Sequence, residues 1–421
     1  MTAPGVRGDG DPASAWGTVT VAGARAEPTP PPPRLIGMVW GLMLVNTLGF
    51  TSLDLIIPFP HQFGQVITMA ALALAFGLAL VLNPRIRLRP NAYLLLLTLI
   101  VIVSVASSLQ MESGTGSLLR CMRLILFVCT LWLLTAWWRG DLTFVRHHIK
   151  ALCLILLTVV AGLIISPGSA FSGPGGRLVG AIWPIPAPQV GMYSAVAIGL
   201  CVLLWTTRRL DGRSAVLVTV PAVALLLLSH TRTALLGLVV GLAVAGLSLV
   251  LTTVRARRTL LGAVAAGVVG LAVFGQTIEE WLARGQKTED LANLTGRTKV
   301  WDELLAKHRT VSEEAFGVGL TDKSFGGLPI DNAWLTIYNE QGWIGITLVA
   351  GFLLTMLVAA MLRPSSPQRA CALFIVIYCI TVSYTEGGLG DASPYLLALA
   401  VAASLLATPV SAAAQSRSVP R

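Results

Sequence analysis

Charged residues are scarce in this chain. Asp, Glu, Lys and Arg make up 12% of its 421 residues, whereas a soluble domain usually carries about a quarter. Hydrophobic residues make up 55%, and apolar runs of roughly twenty residues, long enough to cross a bilayer as helices, recur from end to end. The shortage of charge excludes an ordinary soluble domain and predicts an all-α polytopic membrane protein.

Acidic residues are the scarcer charge, with 20 Asp and Glu against 30 Lys and Arg and a formal net charge of +10. The basic residues sit mostly in short loops between apolar runs, not in a stripe interleaved with aromatic residues, so no nucleic-acid partner is expected. The chain lacks a P-loop, which argues against an ATP-driven pump. It also lacks a dense acidic motif that would hold Mg²⁺, so we expect neither a metal nor another cofactor.

Cysteine is sparse, and no CxxC pair is present. All the cysteines lie in or at the edge of apolar runs, where free Cys is an ordinary small apolar residue. The sequence therefore indicates neither a disulfide framework nor a zinc site. The six residues are Cys121, Cys129, Cys153, Cys201, Cys371 and Cys379.

Twelve transmembrane spans are predicted, nine within 34–276 and three within 333–409, separated by an extracytoplasmic loop at 277–332. Residues 1–33, rich in Gly, Ala, Pro and Thr, are expected to form a disordered cytoplasmic tail. A second cytoplasmic tail is expected at 410–421. The predicted spans are 35–57, 65–83, 91–109, 118–138, 148–166, 187–206, 214–229, 233–253, 259–276, 333–362, 370–385 and 392–409.

The loops alternate in charge along the chain. Every second loop is basic, while the short loops between them hold little beyond Arg177 and Arg232. Because positive loops stay in the cytoplasm, we expect both termini inside the plasma (inner) membrane and residues 277–332 outside it. The basic loops hold Arg85, Arg87 and Arg89; Arg139, Arg146 and Lys150; Arg208, Arg209 and Arg213; Arg255, Arg257 and Arg258; and Arg363 and Arg369.

The 277–332 loop differs from the rest of the chain because it is rich in charge. Two stretches have the spacing of short amphipathic helices, 278–284 and 298–308. In the second stretch, Trp301, Leu304 and Leu305 are expected on one side. We therefore predict short helices that fold back over the outer mouth of the helices, and no separate β domain.

Two outer loops contain an Arg in a position suited to anion binding. The first is the turn 229–234, which contains His230 and Arg232. The planar fork of an Arg suits phosphate, although an Arg that snorkels to the membrane surface is the structural alternative. The second is Arg177, which follows two glycines that permit close backbone approach to a ligand. A solvated Arg in a flexible loop is the alternative there.

Arg120 and Arg123 lie near the outer end of the fourth predicted span. They are three residues apart and hence share one helical face. A charge inside a membrane helix is costly and usually faces a cavity or a partner. Binding of an anionic lipid at the interface is the alternative.

The end of the large loop contains several further fragments. Arg297 lies in a Gly-Arg-x-x-x-Trp sequence, and two glycines at 317 and 319 follow it. Asp331 and Asn332 then precede an apolar stretch that contains Glu340. An acidic residue just before a helix is an ordinary N-cap, so capping is the structural alternative for Asp331.

Together, these fragments resemble the O-antigen ligase and polymerase superfamily of lipid-linked glycan transferases. The family pattern is a Ser-x-x-Arg-x-Ala turn, a Gly-Arg-x-x-x-Trp, a Gly-x-Gly, a His-Asn and a Glu-x-Gly-x-x-Gly in the next helix. The match covers residues 170–350 in the same order. The matching residues are Ser229, Arg232 and Ala234; Gly296, Arg297 and Trp301; Gly317 and Gly319; Asn332; and Glu340, Gly342 and Gly345.

The resemblance implies a GT-C-like fold that moves a glycan from undecaprenyl pyrophosphate to a hydroxyl of a glycan or lipid acceptor. Breaking the sugar–pyrophosphate bond builds negative charge on the leaving group, and positioned cations lower that barrier. Arg232, Arg297 and Arg177 are expected to supply the positive charge at the outer membrane face. The remaining residues expected to bind substrate are Arg120, Arg123, His230, Asn332 and Glu340.

One position departs from the family pattern, because the family often has His where this chain has Asp331. A carboxylate can also take a proton from an acceptor hydroxyl when it lies within about 3 Å of it. Asp331 is therefore the predicted catalytic base, facing Arg232 and Arg297 across one outward-facing cavity.

Two other functions fit parts of the sequence. A lipid-linked glycan flippase or another transporter would favour inverted repeats and broken helices at the bilayer midplane. The unusual polar residues here cluster on the outer side instead, which favours an enzyme. A non-catalytic membrane partner is the third hypothesis, because Asp331 replaces the family's His. Ligase and polymerase differ in their acceptor, and the sequence does not distinguish the two.

Overall fold

The structure is a computed structural model that describes residues 34–49, 55–56, 60–110, 114–173, 175–250, 253–283, 297–321 and 323–408. Within these residues the chain is mostly helical, with a short antiparallel ribbon of β1 (Ser324–Phe325) and β2 (Leu328–Pro329). The tails predicted at 1–33 and 410–421 lie outside them. The helices are α1 Leu35–Asn46, α2 His61–Leu82, α3 Ala92–Gln110, α4 Gly114–Leu134, α5 Thr143–Ile165, α6 Pro167–Ala170, α7 Ala187–Thr206, α8 Gly212–Leu228, α9 Arg232–Val250, α10 Val254–Ala283, α11 Arg297–Ala306, α12 Val311–Phe316, α13 Ala333–Leu362, α14 Pro367–Val382 and α15 Pro394–Leu406.

Eight helices in the described part of the chain are long and apolar enough to cross a membrane: α2 to α5, α7, α9, α10 and α13. Large apolar side chains on these helices point outward, such as Val81, Ile164 and Leu354. Soluble proteins rarely expose apolar surface on this scale, because contact of apolar side chains with water is energetically unfavourable. The chain is an all-α polytopic membrane protein, as the sequence predicts.

The centre of the bundle is formed by α7, α14 and α15, whose side chains are mostly buried. Glycines let the helices approach closely. A Cβ atom at Gly199 of α7 would overlap the ring of Phe374 on α14, and one at Gly241 of α9 would stand 2.9 Å from that ring. Membrane helices depend on such packing because lipid is as apolar as the helix surface. The packing fixes the helix ends from which the site loops emerge.

Each predicted span contains an apolar helix, but the first helix is shorter than the predicted span 35–57. α1 ends at Asn46, residues 47–49 are not helical, and much of 50–59 lies outside the described residues. The Arg123 guanidinium of α4 donates to the Asn46 carbonyl oxygen at 2.6 Å, an acceptor that a longer helix would use itself. The other predicted spans with short apolar helices are those of α8, α14 and α15, which contain 17, 16 and 13 residues.

The loops predicted to be basic gather at one end of the helices, which we call the basic end. There Arg89 donates to the carbonyl oxygen of Trp138 at 2.9 Å and joins two of these loops. The described parts of the loops 166–186, 229–231, 297–332 and 383–393 lie at the opposite end, which we call the site end. Further contacts at the basic end join Gly140 to Ser404, Arg363 to Leu405, Ser365 to Ser248, and Arg255 to Trp205.

The predicted helix at 298–308 is present as α11, which buries Val300, Trp301 and Leu304. Leu305 was expected on the same side, but it is 59% exposed because its position on the helix turns it outward. The helix predicted at 278–284 is present up to Ala283. Phe274 has non-helical φ and ψ of −115° and 15°, so α10 is kinked there and the residues from 275 to 283 form a short helix after the kink.

The β1–β2 ribbon was not predicted. It is a two-residue pairing in which Gly326 and Gly327 turn the chain with left-handed φ of 59° and 79°. Glycine takes this conformation without a Cβ clash. The ribbon brings the chain from α12 back toward the start of α13, so the described part of the loop is a helical segment with a small hairpin.

Candidate functional site

Arg177 lies in the loop between α6 and α7. The two glycines before it take left-handed φ of 74° and 69° and turn the chain. The Arg177 side chain crosses to the turn between α8 and α9, where Nε donates to the Ser229 carbonyl oxygen at 2.9 Å. Its Nη2 donates to Thr231 Oγ1 at 3.1 Å. Arg177 is thus placed against the turn that carries Arg232, which the sequence alone could not establish.

The turn between α8 and α9 places Arg232 at the first position of α9. Ser229 is fully buried, and its Oγ donates to Thr231 Oγ1 at 3.0 Å. His230 takes a left-handed φ of 47°, and its ring stacks on Trp281 of α10 with centroids 5.4 Å apart. His230 therefore supports the contact between this turn and α10, whereas Arg232 belongs to the site.

Arg297 and Asp331 form an ion pair although 34 positions separate them in the sequence. The distance from Arg297 Nη2 to Asp331 Oδ2 is 3.1 Å, and both side chains remain partly exposed, at 27% and 39%. Arg297 Nη1 also donates to the Thr385 carbonyl oxygen at 3.3 Å, in the loop between α14 and α15. The proximity expected for Arg297 and Asp331 is present in the structure, while their chemical roles stay predictions.

Asn332, not Asp331, caps α13. The Asn332 side chain accepts a hydrogen bond from the Leu335 backbone N–H at 3.1 Å, and the residue has extended φ and ψ typical of an N-cap. The capping alternative for Asp331 is therefore wrong. Asn332 was expected to bind substrate, but it is buried and its side chain caps α13.

Glu386 is a site residue that the sequence analysis missed. It lies in the loop between α14 and α15 and is partly buried. Thr233 Oγ1, at the start of α9, donates to Glu386 Oε1 at 3.3 Å. The loop contains two of the chain's few acidic residues, Glu386 and Asp391, among glycines. Two acidic residues in one short loop, on the side of the membrane predicted for Asp331, were the feature of the sequence that could have identified Glu386.

Five charged groups meet at this place, and we call them the arginine cluster: Arg177, Arg232, Arg297, Asp331 and Glu386. The charge on Arg177 interacts with each of the other four. Three guanidinium groups and two carboxylates give a formal charge of +1. The five residues come from five separate segments, so only the fold brings them together. With its three guanidinium groups and net positive charge, the arginine cluster can bind an anion that carries more than one charge.

Burial sets the titration of the acids in the arginine cluster. Burial raises the pKa of Asp331, and Arg297 and Arg177 oppose that rise only in part. Burial raises the pKa of Glu386 to about 7, with Asp331 adding to the rise and Arg297 and Arg177 opposing it. Burial also lowers the pKa of Arg177, but a guanidinium keeps its charge in proteins. Glu386 therefore changes charge near neutral pH.

A second group of charges at the site end, which we call the clamp cluster, consists of Arg120, Arg123, Lys323, Glu340 and Asp391. Lys323 Nζ and Asp391 Oδ2 form an ion pair at 3.1 Å, and Asp391 is only 5% exposed. Burial raises the pKa of Asp391, but the positive charges of Lys323 and Arg123 lower it by more than burial raises it. The pKa of Asp391 therefore lies below its usual value. Asp391 thus remains a carboxylate.

The clamp cluster binds the protein's own chain. Arg120 donates to the Thr321 carbonyl oxygen, and Arg123 holds Asn46 at the end of α1. Glu340 accepts from the Thr321 backbone N–H at 2.9 Å and from its hydroxyl at 3.1 Å. Arg120, Arg123 and Glu340 were expected to bind substrate. The structure brings them together with one another and not into the arginine cluster.

Several glycines of the motifs that resemble the glycan transferases lie where residues 317–319 cross a break in α13. We call residues 317–319 the strap. Gly342 has φ 64° and ψ −162°, which interrupts the helix. The N–H groups of Val318 and Gly319 donate to the carbonyl oxygens of Asn339 and Glu340 at 2.8 and 3.1 Å. A Cβ atom at Gly317 or Gly342 would overlap the backbone across the strap. These glycines are required by backbone geometry.

A cavity of 240 Å³ lies at the basic end, between α3, α13 and α15. Arg89, Tyr93, Trp138 and Thr355 are among its lining residues. No member of the arginine cluster lines it, so this cavity and the charged groups lie at opposite ends of the helices. Its lining offers one cation and no carboxylate, which suits packing or a lipid contact better than acid–base chemistry.

Among the residues that the structure describes, no group of three or more His, Cys, Asp or Glu side chains is placed to hold a metal ion. No protein-family model matches the chain, and no curated protein sequence matches it. The resemblance to glycan transferases rests on the motifs named above.

Proposed function

We propose that this protein is a membrane glycosyltransferase of the O-antigen ligase and polymerase type. It moves a glycan from undecaprenyl pyrophosphate to an acceptor hydroxyl of a glycan or lipid, without a metal ion. The observation that carries the proposal is the arginine cluster. Arg177, Arg232 and Arg297, from three distant segments, stand together beside two carboxylates at one end of a membrane helix bundle.

The chemistry of the leaving group explains why several arginines are needed. When the bond from the sugar to the pyrophosphate breaks, the lipid pyrophosphate gains one negative charge. Guanidinium groups fixed beforehand stabilise that charge without reorganisation, and each such donor contributes about 10²–10³-fold in rate. Arg177 and Arg297 are held in place by hydrogen bonds and an ion pair, so they are preorganised.

The topology that we propose has twelve spans, formed by the eight long apolar helices together with α1, α8, α14 and α15. The basic end lies in the cytoplasm, because short positive loops are retained there. Both termini are then cytoplasmic, and the site end faces outward in a GT-C-like arrangement at the plasma membrane. This places the arginine cluster where a flipped lipid-linked glycan presents its pyrophosphate.

A transporter of the lipid-linked glycan is the second candidate, favoured by the break in α13. Broken helices in transporters leave backbone groups to bind the substrate. Here the strap from Val318 and Gly319 already occupies the carbonyl oxygens at the break. The break is therefore filled by the protein itself, which favours the transferase. A non-catalytic partner would need no cluster of partly exposed arginines.

The test uses a deletion strain and proteoliposomes. We expect the deletion strain to accumulate glycan on undecaprenyl pyrophosphate. The purified full chain, reconstituted with this material and with membranes of the same strain as acceptor, should release undecaprenyl pyrophosphate as glycan is transferred. Movement of the lipid-linked glycan across the bilayer without that release would identify a transporter. Neither transfer nor movement would leave only the non-catalytic partner.

A further inference from the structure

The two carboxylates of the arginine cluster are held in different ways. Asp331 is in direct contact with Arg297 at 3.1 Å. Glu386 accepts from the neutral hydroxyl of Thr233 at 3.3 Å, and within the described residues no cation pairs with it as Arg297 pairs with Asp331. A carboxylate that shares its charge with a guanidinium is a weaker proton acceptor, because protonation breaks the ion pair.

Several structural elements also bring charged or titratable groups close to Glu386. Arg177 from the α6–α7 loop, Arg297 from α11 and Asp331 before α13 all act on it electrostatically. The charge of Glu386 also acts on two buried tyrosines of the core. The groups around Glu386 are Arg177, Thr233, Arg297, Asp331, Tyr378 and Tyr395.

We propose that Glu386 accepts the proton of the acceptor hydroxyl, and that Asp331 is a positioning residue that holds Arg297 against the pyrophosphate. This inference rests on the proposed transferase function and replaces Asp331 as the base. The burial that brings the pKa of Glu386 to about 7 supports it, because a base acts best with a pKa near the working pH.

The proposed step is balanced in atoms and charge. The acceptor oxygen forms a bond to the anomeric carbon of the donor sugar, and the bond from that carbon to the pyrophosphate oxygen breaks. The electron pair of the broken bond leaves with undecaprenyl pyrophosphate, beside the arginines. The hydroxyl proton passes to the Glu386 carboxylate and is then released to water. No oxidant, metal or further reactant is required.

The test compares Glu386→Gln, Glu386→Asp and Asp331→Asn in proteoliposomes, with lipid-linked glycan from the deletion strain as donor. Glu386→Gln should lower the transfer rate about 10²–10⁴-fold, the usual contribution of a general base. Glu386→Asp should restore part of that rate. Glu303→Gln, an exposed acid on α11, is the matched control and should leave the rate unchanged.

The pH profile separates a base from a structural residue. With the wild type, the rate should rise as pH increases through about 7, because Glu386 must lose its proton to act. In Glu386→Gln the residual rate should lose this rise, while the variant still binds the donor in the absence of acceptor. Asp331→Asn should weaken donor binding and keep the rise.

The outcomes are distinguishable. A Glu386→Gln variant with wild-type rate and pH profile overturns the inference but leaves the transferase function intact, especially if Asp331→Asn then loses the rise. Loss of donor binding in Glu386→Gln, with no rate restored by Glu386→Asp, makes Glu386 structural and also overturns it. A wild-type protein that transfers nothing refutes the proposed function itself.

Discussion

The arginine cluster and the clamp cluster contain the same kinds of side chain at the same end of the molecule, yet they are built differently. In the clamp cluster, Arg123 donates to a backbone carbonyl at 2.6 Å, and Asp391 is buried at 5% exposure against Lys323. In the arginine cluster, the ion pair of Arg297 and Asp331 stays partly open, at 27% and 39% exposure.

This difference shows that the sequence position of an Arg near the site end of a membrane helix does not by itself reveal its role. A guanidinium that satisfies the carbonyl at a helix end has a structural task. A guanidinium held by a partly exposed carboxylate can also contact a ligand of higher charge. The loop between α14 and α15 contributes Glu386 to one cluster and Asp391 to the other, so it connects the two.

In the comparison of the two clusters, the largest effect is expected from changing one Arg in each cluster to Lys. Arg232→Lys keeps the charge and loses the planar fork, so transfer should fall about 100-fold, as for loss of one donor to a developing anion. Arg123→Lys should lower the thermal stability and leave the rate per folded molecule near normal. Transfer assays and thermal unfolding of the purified variants measure both.

Arg213→Lys, an exposed change at the basic end, serves as the control for this pair. A normal rate in Arg232→Lys, or a collapsed rate in well-folded Arg123→Lys, would break the distinction between the clusters.

A second effect concerns the stability of the clamp cluster. Lys323→Met leaves Asp391 buried without its ion-pair partner and should cost about 3 kcal/mol of unfolding free energy, the low end for a stranded buried charge. Arg123 still faces Asp391, which limits the loss. Adding Asp391→Asn should recover part of the stability, since the stranded charge is then gone. Equal stability in all three proteins would show that this ion pair contributes nothing.

A smaller effect separates neighbouring residues at the start of α13. Asn332→Ala removes the N-cap and should cost about 1 kcal/mol of stability, with an unchanged transfer rate per folded molecule. Asn332→Asp, which keeps a capping oxygen, should be stable. If Asn332→Ala instead abolished transfer without loss of stability, Asn332 would bind substrate, as the sequence suggested.

The helices were predictable because their signal is long and repeated. Each apolar run long enough for a bilayer contains a helix, and the alternation of charge separates the two ends. Helix ends were less predictable, since they depend on distant partners. α1 ends at Asn46 because Arg123, 77 positions away, takes the carbonyl there. No local pattern in 35–57 contains that information.

The site was predictable only for residues that stand in a recognisable motif. Arg232, Arg297 and Asp331 were chosen in that way, and the structure places all three in one cluster. Glu386 carries no motif and enters the cluster through the packing of α14 on α9. In contrast, Glu340 belongs to a motif but is buried under the strap. A sequence motif can therefore contain residues that are required by the backbone structure as well as residues that bind the substrate.

The smallest expected effect is a change in donor affinity with pH. Burial holds the pKa of Glu386 at about 7, so lowering the pH from 8 to 6 protonates Glu386 and raises the formal charge of the arginine cluster from +1 to +2. A lipid-linked sugar pyrophosphate is a diester whose phosphates keep their charge over this range. Its affinity, measured without acceptor, should therefore tighten about threefold as the pH falls, a modest gain because solvent screens a partly exposed site.

The Glu386→Gln variant sharpens this comparison, because its side chain is neutral at both pH values. It should bind the donor tightly and equally at pH 6 and pH 8, whereas Asp391→Asn in the clamp cluster should keep the pH dependence of the wild type. The sign is diagnostic. If donor binding weakened as the pH fell, the group that titrates would have to be one whose charged form attracts the donor, and Glu386 would not be the residue that controls the charge of the arginine cluster.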